Sequence, residues 1–300
     1  MVAVARAHKR RKPVRATRIL LYGLLIAGSL VMAYPFAYGI AGSLCTTEAF
    51  LSEPYWLPLP RPITLDNYRT IAGLIAGPQF RLMVMNTIKR VAWYILIPGT
   101  VSLYAGYAFA RLKFAGREQI FLLLLSSAMV PSVAYLIPTY VILARFPFVG
   151  GNDWLGQGGT GFINRWGSLL LPGMVNVVFI FLMRQAFLAI PRDFENAAQI
   201  DGAGRAQIMR HVYLPMVKST LTVLALFQAV SVWNEYQWPL FVSVGNPKIW
   251  TVALGTSKAM SSAGPYSFAL AIVMSLPTIL LYVFLQRYFV EGMQGFAIKG

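Results

Sequence analysis

The chain has 300 residues, 57% hydrophobic and 12% charged, and its 26 Lys and Arg outweigh 10 Asp and Glu to give a formal net charge of +16. Mean hydropathy is +0.59. A soluble domain carries about 25% charged residues, so the deficit points to lipid as solvent; the bases gather at the ends of apolar runs rather than on an aromatic-interleaved face, which argues against a nucleic-acid partner.

The first element is the basic run "RAHKRRKPVRATR". The apolar stretch behind it is too long for a secretory signal, and it lacks a small-residue cleavage pattern. It therefore predicts a basic cytoplasmic tail (1–18) ahead of a retained first span. Six spans follow in order: Ile19–Leu44, Val91–Ala110, Gln119–Leu143, Leu169–Ile190, Thr220–Val242 and Phe268–Phe289. Each is near the roughly 20 residues a helix needs to cross the hydrocarbon core. Continuous rather than alternating apolar runs exclude a barrel, so the predicted fold is all-α and polytopic, with six transmembrane helices over 19–290 and a short tail, 291–300. An even number of spans puts both termini in the cytoplasm. Arg111, Lys113, Arg117, Arg192, Arg205 and Arg210 then lie inside, as the positive-inside rule requires. Lys89 and Arg90 run against it and are expected to snorkel to the outer interface.

Between the spans, an outer loop from about Cys45 to Asn86 contains "EPYWLPLPRPITLDNY", an ordered segment by its proline and aromatic content. The loop "FPFVGGNDWLGQGGTGFINRW" is glycine-rich and predicts mobility. Prolines 35, 98, 131, 138, 172 and 277 fall in or beside spans, where neighbours can re-satisfy the carbonyls they free.

Chemistry has little foothold. Cys45 is the sole cysteine, so no internal disulfide forms. His8 and His211 are far apart in sequence, which argues against zinc. There is no GxxxxGK[ST] phosphate loop, GxSxG or HExxH.

One segment stands apart. "ENAAQIDGAGRAQIMRHVYLP" (Glu195–Pro215) is polar and lies in the cytoplasmic stretch 191–218, between spans four and five. Pro191 and Asp193 favour a helix start. Asp201-Gly202 should end that helix with Gly202 in the left-handed conformation. A second short helix should run from Arg205 to Tyr213 and stop at Leu214-Pro215. The small residues Ala197, Ala198, Gly202, Ala203, Gly204 and Ala206 let another body approach closely. They fit either a docking knob or an ordinary interfacial loop.

In the fifth span, "WNEYQW" places Trp233, Asn234 and Glu235 near the membrane. Rings and polar groups of this kind suit a sugar path. Glu235 could equally pair with a residue of another subunit, and the tryptophans could form an interfacial belt. Asn86, at the mouth of span two, carries the same two readings.

The polar segment resembles the EAA loop of permease subunits of ATP-binding-cassette importers. Ala197-Ala198, Asp201-Gly202-Ala203 and Leu214-Pro215 match its pattern, Glu195 precedes it, and Asn196 stands where the motif's own Glu is usual. "TLDNY", "YAGYAFARLKFAGR", "VWNEYQWPL" and "QRYFVEGMQGFAIKG" resemble the carbohydrate branch, of the maltose-permease second-subunit kind. The resemblance covers nearly the whole chain. It implies that the loop is a coupling helix, with Glu195, Ala197, Ala198, Asp201, Gly202, Ala203, Leu214 and Pro215 docking on an ATPase. It further implies two ATPase subunits that carry the ATP and Mg (this chain binding no cofactor), a second homologous permease and an extracytoplasmic solute-binding protein. The setting would be a bacterial or archaeal cytoplasmic membrane. The substrate would be a sugar or sugar-like solute: a disaccharide, oligosaccharide, polyol or glycerol phosphate. A stand-alone secondary transporter or channel is the alternative. Such proteins often carry intramembrane ionisable groups; here the candidates are few, Glu235 being the main one, and the sparse set argues against proton or sodium coupling.

Overall fold

The computed structural model describes residues 15–52, 62–260 and 264–297, and every regular element among them is a helix. The basic tail up to residue 14, the whole of "EPYWLPLPR" (53–61), residues 261–263 and the last three residues lie outside the described residues.

The chain forms two compact units. The first takes in residues up to Ile71 together with Ser262–Val273. It contains α1 (Arg15–Ser43), α2 (Thr47–Ser52), most of α3 (Asp66–Ala76) and the first turns of the last helix. The "TLDNY" stretch closes the end of α1. Asn67 Nδ2 donates to the carbonyls of Ser43 and Cys45 at 3.0 and 3.1 Å, and the backbone N–H of Thr64 donates to Leu44 at 2.9 Å. These carbonyls lose their intrahelical partners at a helix C-terminus, so a side-chain amide is a direct replacement. Tyr38, Phe50 and Phe268 meet edge-on beside them.

The second unit covers Ala72–Ser261 and Met274 onward. Its elements are α4 (Pro78–Arg111), α5 (Arg117–Ser127), α6 (Ser132–Ala144), α7 (Trp166–Leu170), α8 (Val177–Ala189), α9 (Asp193–Ile200), α10 (Arg205–Ile208), α11 (Leu214–Asn234), α12 (Gln237–Ser243) and α13 (Val252–Ala259). The last helix, α14 (Pro265–Ala297), is shared with the first unit. Helix α4 packs on α8 and α11. At Gly106 α4 comes close to α8: an added Cβ would sit 2.5 Å from Met183 Cβ, so glycine is needed there for the two backbones to meet. Around it lies a core of Tyr107, Phe179, Met183, Phe187, Tyr213 and Val217.

Among the described residues, four helices are long and apolar enough to cross a membrane: Arg18–Ser43, Pro78–Arg111, Arg205–Asn234 and Pro265–Phe284; Arg117–Ser127 and Ser132–Ala144 would make a fifth span as a pair bent by 96°. The chain is a multi-pass membrane protein. Several boundaries differ from those expected. The second span begins at Pro78, so the outer loop is shorter, and Asn86, Lys89 and Arg90 lie inside a helix. The third bends at Pro131, whose ring blocks a straight continuation. The fourth is divided: α7 ends at Leu170, and α8 starts only at Val177, where Asn176 caps it by accepting from the Phe179 N–H at 3.2 Å.

The glycine-rich loop is organised rather than mobile. Asn152 Nδ2 donates to the carbonyls of Ala144 and Phe146, and its Oδ1 accepts from the Gly159 N–H. Asp153 Oδ1 accepts from the N–H groups of Leu155 and Gln157, both at 2.8 Å. The glycines serve close packing: a Cβ on Gly150 would lie 2.1 Å from the Gly161 carbonyl oxygen.

Candidate functional site

Two places in the second unit carry the residues singled out by sequence. The first is the polar segment. Helix α9 begins at Asp193, with Asp193 and Glu195 in its first turn, where carboxylates suit the positive end of the helix dipole. It ends as Asp201-Gly202 predicts. Gly202 has φ +80°, its N–H donates to the Gln199 carbonyl, and the Ala203 N–H donates to the Ala198 carbonyl. That pair of bonds is a Schellman closure, which needs a left-handed residue at the glycine position. The Gly204 N–H is taken up by Gln207 Oε1 at 2.8 Å, which starts α10.

The second short helix does not stop at Leu214-Pro215. One continuous helix runs over Arg205–Asn234, and the turn Met209–Tyr213 is widened to π form, with the Leu214 N–H donating back to the Met209 carbonyl. Proline has no N–H to give, and its ring collides with the carbonyl four residues earlier. A widened turn just before it relieves both constraints.

The motif residues divide by the way they face. Ala197, Gly202 and Ala206 are exposed, and a Cβ on Gly202 would meet nothing within 4 Å. The constraint on Gly202 within this chain is thus its backbone angle, not crowding. Ala198 and Ala203 are half-buried against the core. Asp201 is exposed, as are Leu214 and Pro215. Glu195 turns inward, and its carboxylate accepts from the buried Tyr213 hydroxyl at 2.7 Å. Tyr213 stacks edge-on with Tyr107 and Phe187, ring centroids 5.5 Å away in each case. Arg111 lies over the same ring at 5.2 Å and donates to the Phe187 and Ile190 carbonyls. One tyrosine thereby ties the polar segment to the ends of α4 and α8. Nothing in its sequence position marked Tyr213 for this role, beyond its place at the end of the segment.

The second place is a cleft of about 400 Å³ beside the end of α11. From the "WNEYQW" stretch, Glu235 and Trp238 reach its wall, joined by Tyr94, Tyr135, Thr139 and Gln228. The other expected residues lie elsewhere. Asn234 is exposed and bonds back to the Val230 carbonyl at 2.8 Å. Trp233 is half-buried and outside the lining. Asn86 is 2% exposed, with Nδ2 donating to the Lys248 and Trp250 carbonyls at 2.9 and 3.0 Å, so it fastens a loop rather than facing the cleft.

Arg90 does not snorkel. It is 1% exposed, forms an ion pair with Glu235 and lies 5.2 Å from the Tyr94 ring. A buried guanidinium left alone would be costly, and a carboxylate partner offsets that cost. Arg90 also serves α7, whose carbonyls end inside the protein. The Ser168 carbonyl accepts from Trp238 Nε1 at 2.8 Å, Leu169 from Arg90 Nε and the Tyr94 hydroxyl, Leu170 from Trp93 Nε1, and Pro172 from Tyr94. This is why a short helix can break off within an apolar region: side chains supply what lipid cannot. Arg90 and Tyr94 were missed from sequence as partners of this region. The signal was the pair Lys89-Arg90 running against the positive-inside pattern beside an apolar run, where ionisable groups point to function.

Membrane-crossing helices, a cleft with a few polar groups in its wall and a polar segment braced on the bundle are features that a transport permease combines. The chain belongs to the family of binding-protein-dependent transport system inner membrane components, whose pattern matches residues 100–295. Curated relatives resemble it over nearly their full length. The sn-glycerol-3-phosphate transport system permease protein UgpE of Brucella suis is 28% identical, over 90% of this chain and 93% of that one. The lactose transport system permease protein LacG of Rhizobium radiobacter is 28% identical, over 94% and 96%. A solved bacterial ABC transporter involved in import of the acidic polysaccharide alginate contains a chain of the same fold, with TM-score 0.71, 22% identity, and coverage of 93% of this chain and 99% of that one.

Proposed function

We propose that this chain is one half of the translocation pathway of an ATP-driven importer for a sugar or sugar-like solute, brought to it by an extracytoplasmic binding protein. The observation that carries the reading is the family match over residues 100–295, which takes in the polar segment and all of the cleft lining except Tyr94. Relatives that handle lactose and glycerol 3-phosphate support the solute class. In this reading the membrane domain spans 19–290 in six crossings: the four long helices, the bent α5–α6 pair, and α7 with α8 as a sixth, broken one. The tails 1–18 and 291–300 then lie in the cytoplasm with the segment 191–218.

That segment is the coupling helix. Its exposed face (Ala197, Asp201, Gly202, Leu214 and Pro215) docks on an ATPase subunit. Its inward face (Glu195, Ala198 and Ala203) passes the movement to α4 and α8 through Tyr213. A second permease and two ATPase subunits, which hold the ATP and Mg, complete the machine. Glu235 and Trp238 face the solute, while Trp233, Asn234 and Asn86 lie outside the cleft.

The test is assembly followed by turnover. Co-expressed with its partner chains, the protein should co-purify with an ATPase, and binding protein loaded with sugar should raise ATP hydrolysis in proteoliposomes. Solute uptake by the purified chain alone, without ATP, would instead establish a stand-alone transporter or channel.

A further inference from the structure

The cleft wall has one acidic side chain, Glu235, and no lysine, arginine or histidine among the residues that line it. The nearby cation, Arg90, is 1% exposed and lies behind the wall, held by the Leu169 carbonyl and by Glu235 Oε2. Its Nη1 has no hydrogen-bond partner. The Glu235 side chain is 36% exposed, and Arg90 engages one of its two oxygens. The surface offered to a solute is therefore a carboxylate among neutral hydroxyls, amides and ring faces. The cation that pairs with this carboxylate is buried and does not line the cleft.

From this geometry we infer that the cleft selects uncharged polyhydroxyl solutes and turns away anionic ones, such as sugar phosphates and uronates. The inference rests on the importer reading above and narrows its solute class. A carboxylate only accepts hydrogen bonds, so it pairs with sugar hydroxyls and repels phosphate or carboxylate oxygens. Gln228, Ser231 and Thr139 can donate or accept, which suits hydroxyls in either sense. Tyr135 and Trp238 offer the apolar faces that pockets of this kind use to hold a ligand with few polar groups. Arg90 is a positioning residue: it holds the Glu235 carboxylate in place from behind the wall.

The test uses the full complex in proteoliposomes, with binding protein and ATP. It is offered a pool of neutral disaccharides, hexitols, sugar phosphates and uronate oligosaccharides, and mass spectrometry identifies what accumulates. The wild-type complex is expected to concentrate neutral members only. Glu235→Gln removes the repelling charge and leaves the Arg90 cation uncompensated, so the preference for neutral over anionic solutes should fall about tenfold or more. Ser231→Lys, at an exposed lining position one helical turn before Glu235, puts a cation beside the carboxylate on the wall, and should shift the preference in the same direction should Glu235→Gln fail to assemble. Wild-type accumulation of anionic members as readily as neutral ones would overturn the inference and leave the importer standing. So would neutral selectivity that neither variant changes, because the choice would then be made outside the cleft. ATP-dependent accumulation of nothing in the pool would sink the sugar-importer reading itself, and this inference with it.

Discussion

The Tyr213 hydroxyl donates to the Glu195 carboxylate at 2.7 Å, across the 18 residues that separate the start of the polar segment from its end. The bond closes α9, its glycine break and α10 into one brace, and the Tyr213 ring plugs that brace into the core between Tyr107 and Phe187.

Tyr213→Phe keeps the ring packing and removes the bond. A hydrogen bond to a half-exposed carboxylate contributes about 1 kcal/mol, so the complex should still assemble with a slightly lower melting temperature. Its function should suffer more. With the brace loosened, the ratio of solute-stimulated to basal ATP hydrolysis should fall while basal hydrolysis persists. A wild-type ratio in this variant would mean that the brace carries no movement.

Gly202 tests a different property of the same segment. Its φ of +80° is strained for any residue with a β-carbon, whereas the space around it is open. Gly202→Asn should be mild, because asparagine tolerates the left-handed region. Gly202→Val should cost about 1–2 kcal/mol locally, and its branched side chain would project from the exposed face. The expected outcome is an intact membrane bundle with reduced ATPase co-purification, in the order Gly, Asn, Val. Equal yields for all three would show that this face does not dock.

The contrast between these two residues explains what the sequence made legible. The break at Asp201-Gly202 is local chemistry: a glycine after a polar residue closes a helix whatever surrounds it, and the bonds from Gly202 and Ala203 follow. The run of helix through Pro215 is not local. It depends on the widened turn over Met209–Tyr213, which core packing of Ile208, Met209 and Tyr213 holds in place. Likewise Glu235 stood out as an isolated carboxylate, but its partner Arg90 lies 145 positions away, and single-sequence reasoning had no means of joining them. Asn86 looked like a pathway group for the same reason that it is a good fastener: an amide in an apolar helix must find carbonyls, and those it found belong to residues 248 and 250.

The orientation of the chain can be read with single cysteines. Gln157→Cys, exposed in the ordered glycine-rich loop, should react from outside intact cells with a membrane-impermeant thiol reagent. Ala206→Cys should react only after the membrane is opened; it is preferable to position 207, whose amide caps Gly204. The native thiol gives little background. Cys45 is 2% exposed and burial pushes its pKa above the ordinary thiol value, so its reactive thiolate is scarce at neutral pH and increases only as pH rises. Labelling of position 206 from outside would reverse the topology and remove the coupling reading.

The carbonyls of residues 168–172 also set an order for making the protein. Donors from α4 exist before α7 leaves the ribosome, but Trp238, which satisfies Ser168, is synthesised 70 residues later, and Glu235 only slightly sooner. Until then the break after Leu170 holds an unpaired carbonyl, and Arg90 an uncompensated charge, neither of which settles in lipid. Biogenesis of this region should therefore be delayed rather than strictly sequential. On ribosome-stalled chains, protease protection around residues 171–176 is expected only once residue 238 has emerged. Full protection in a chain ending at Asn234 would show that the region inserts without its late partners.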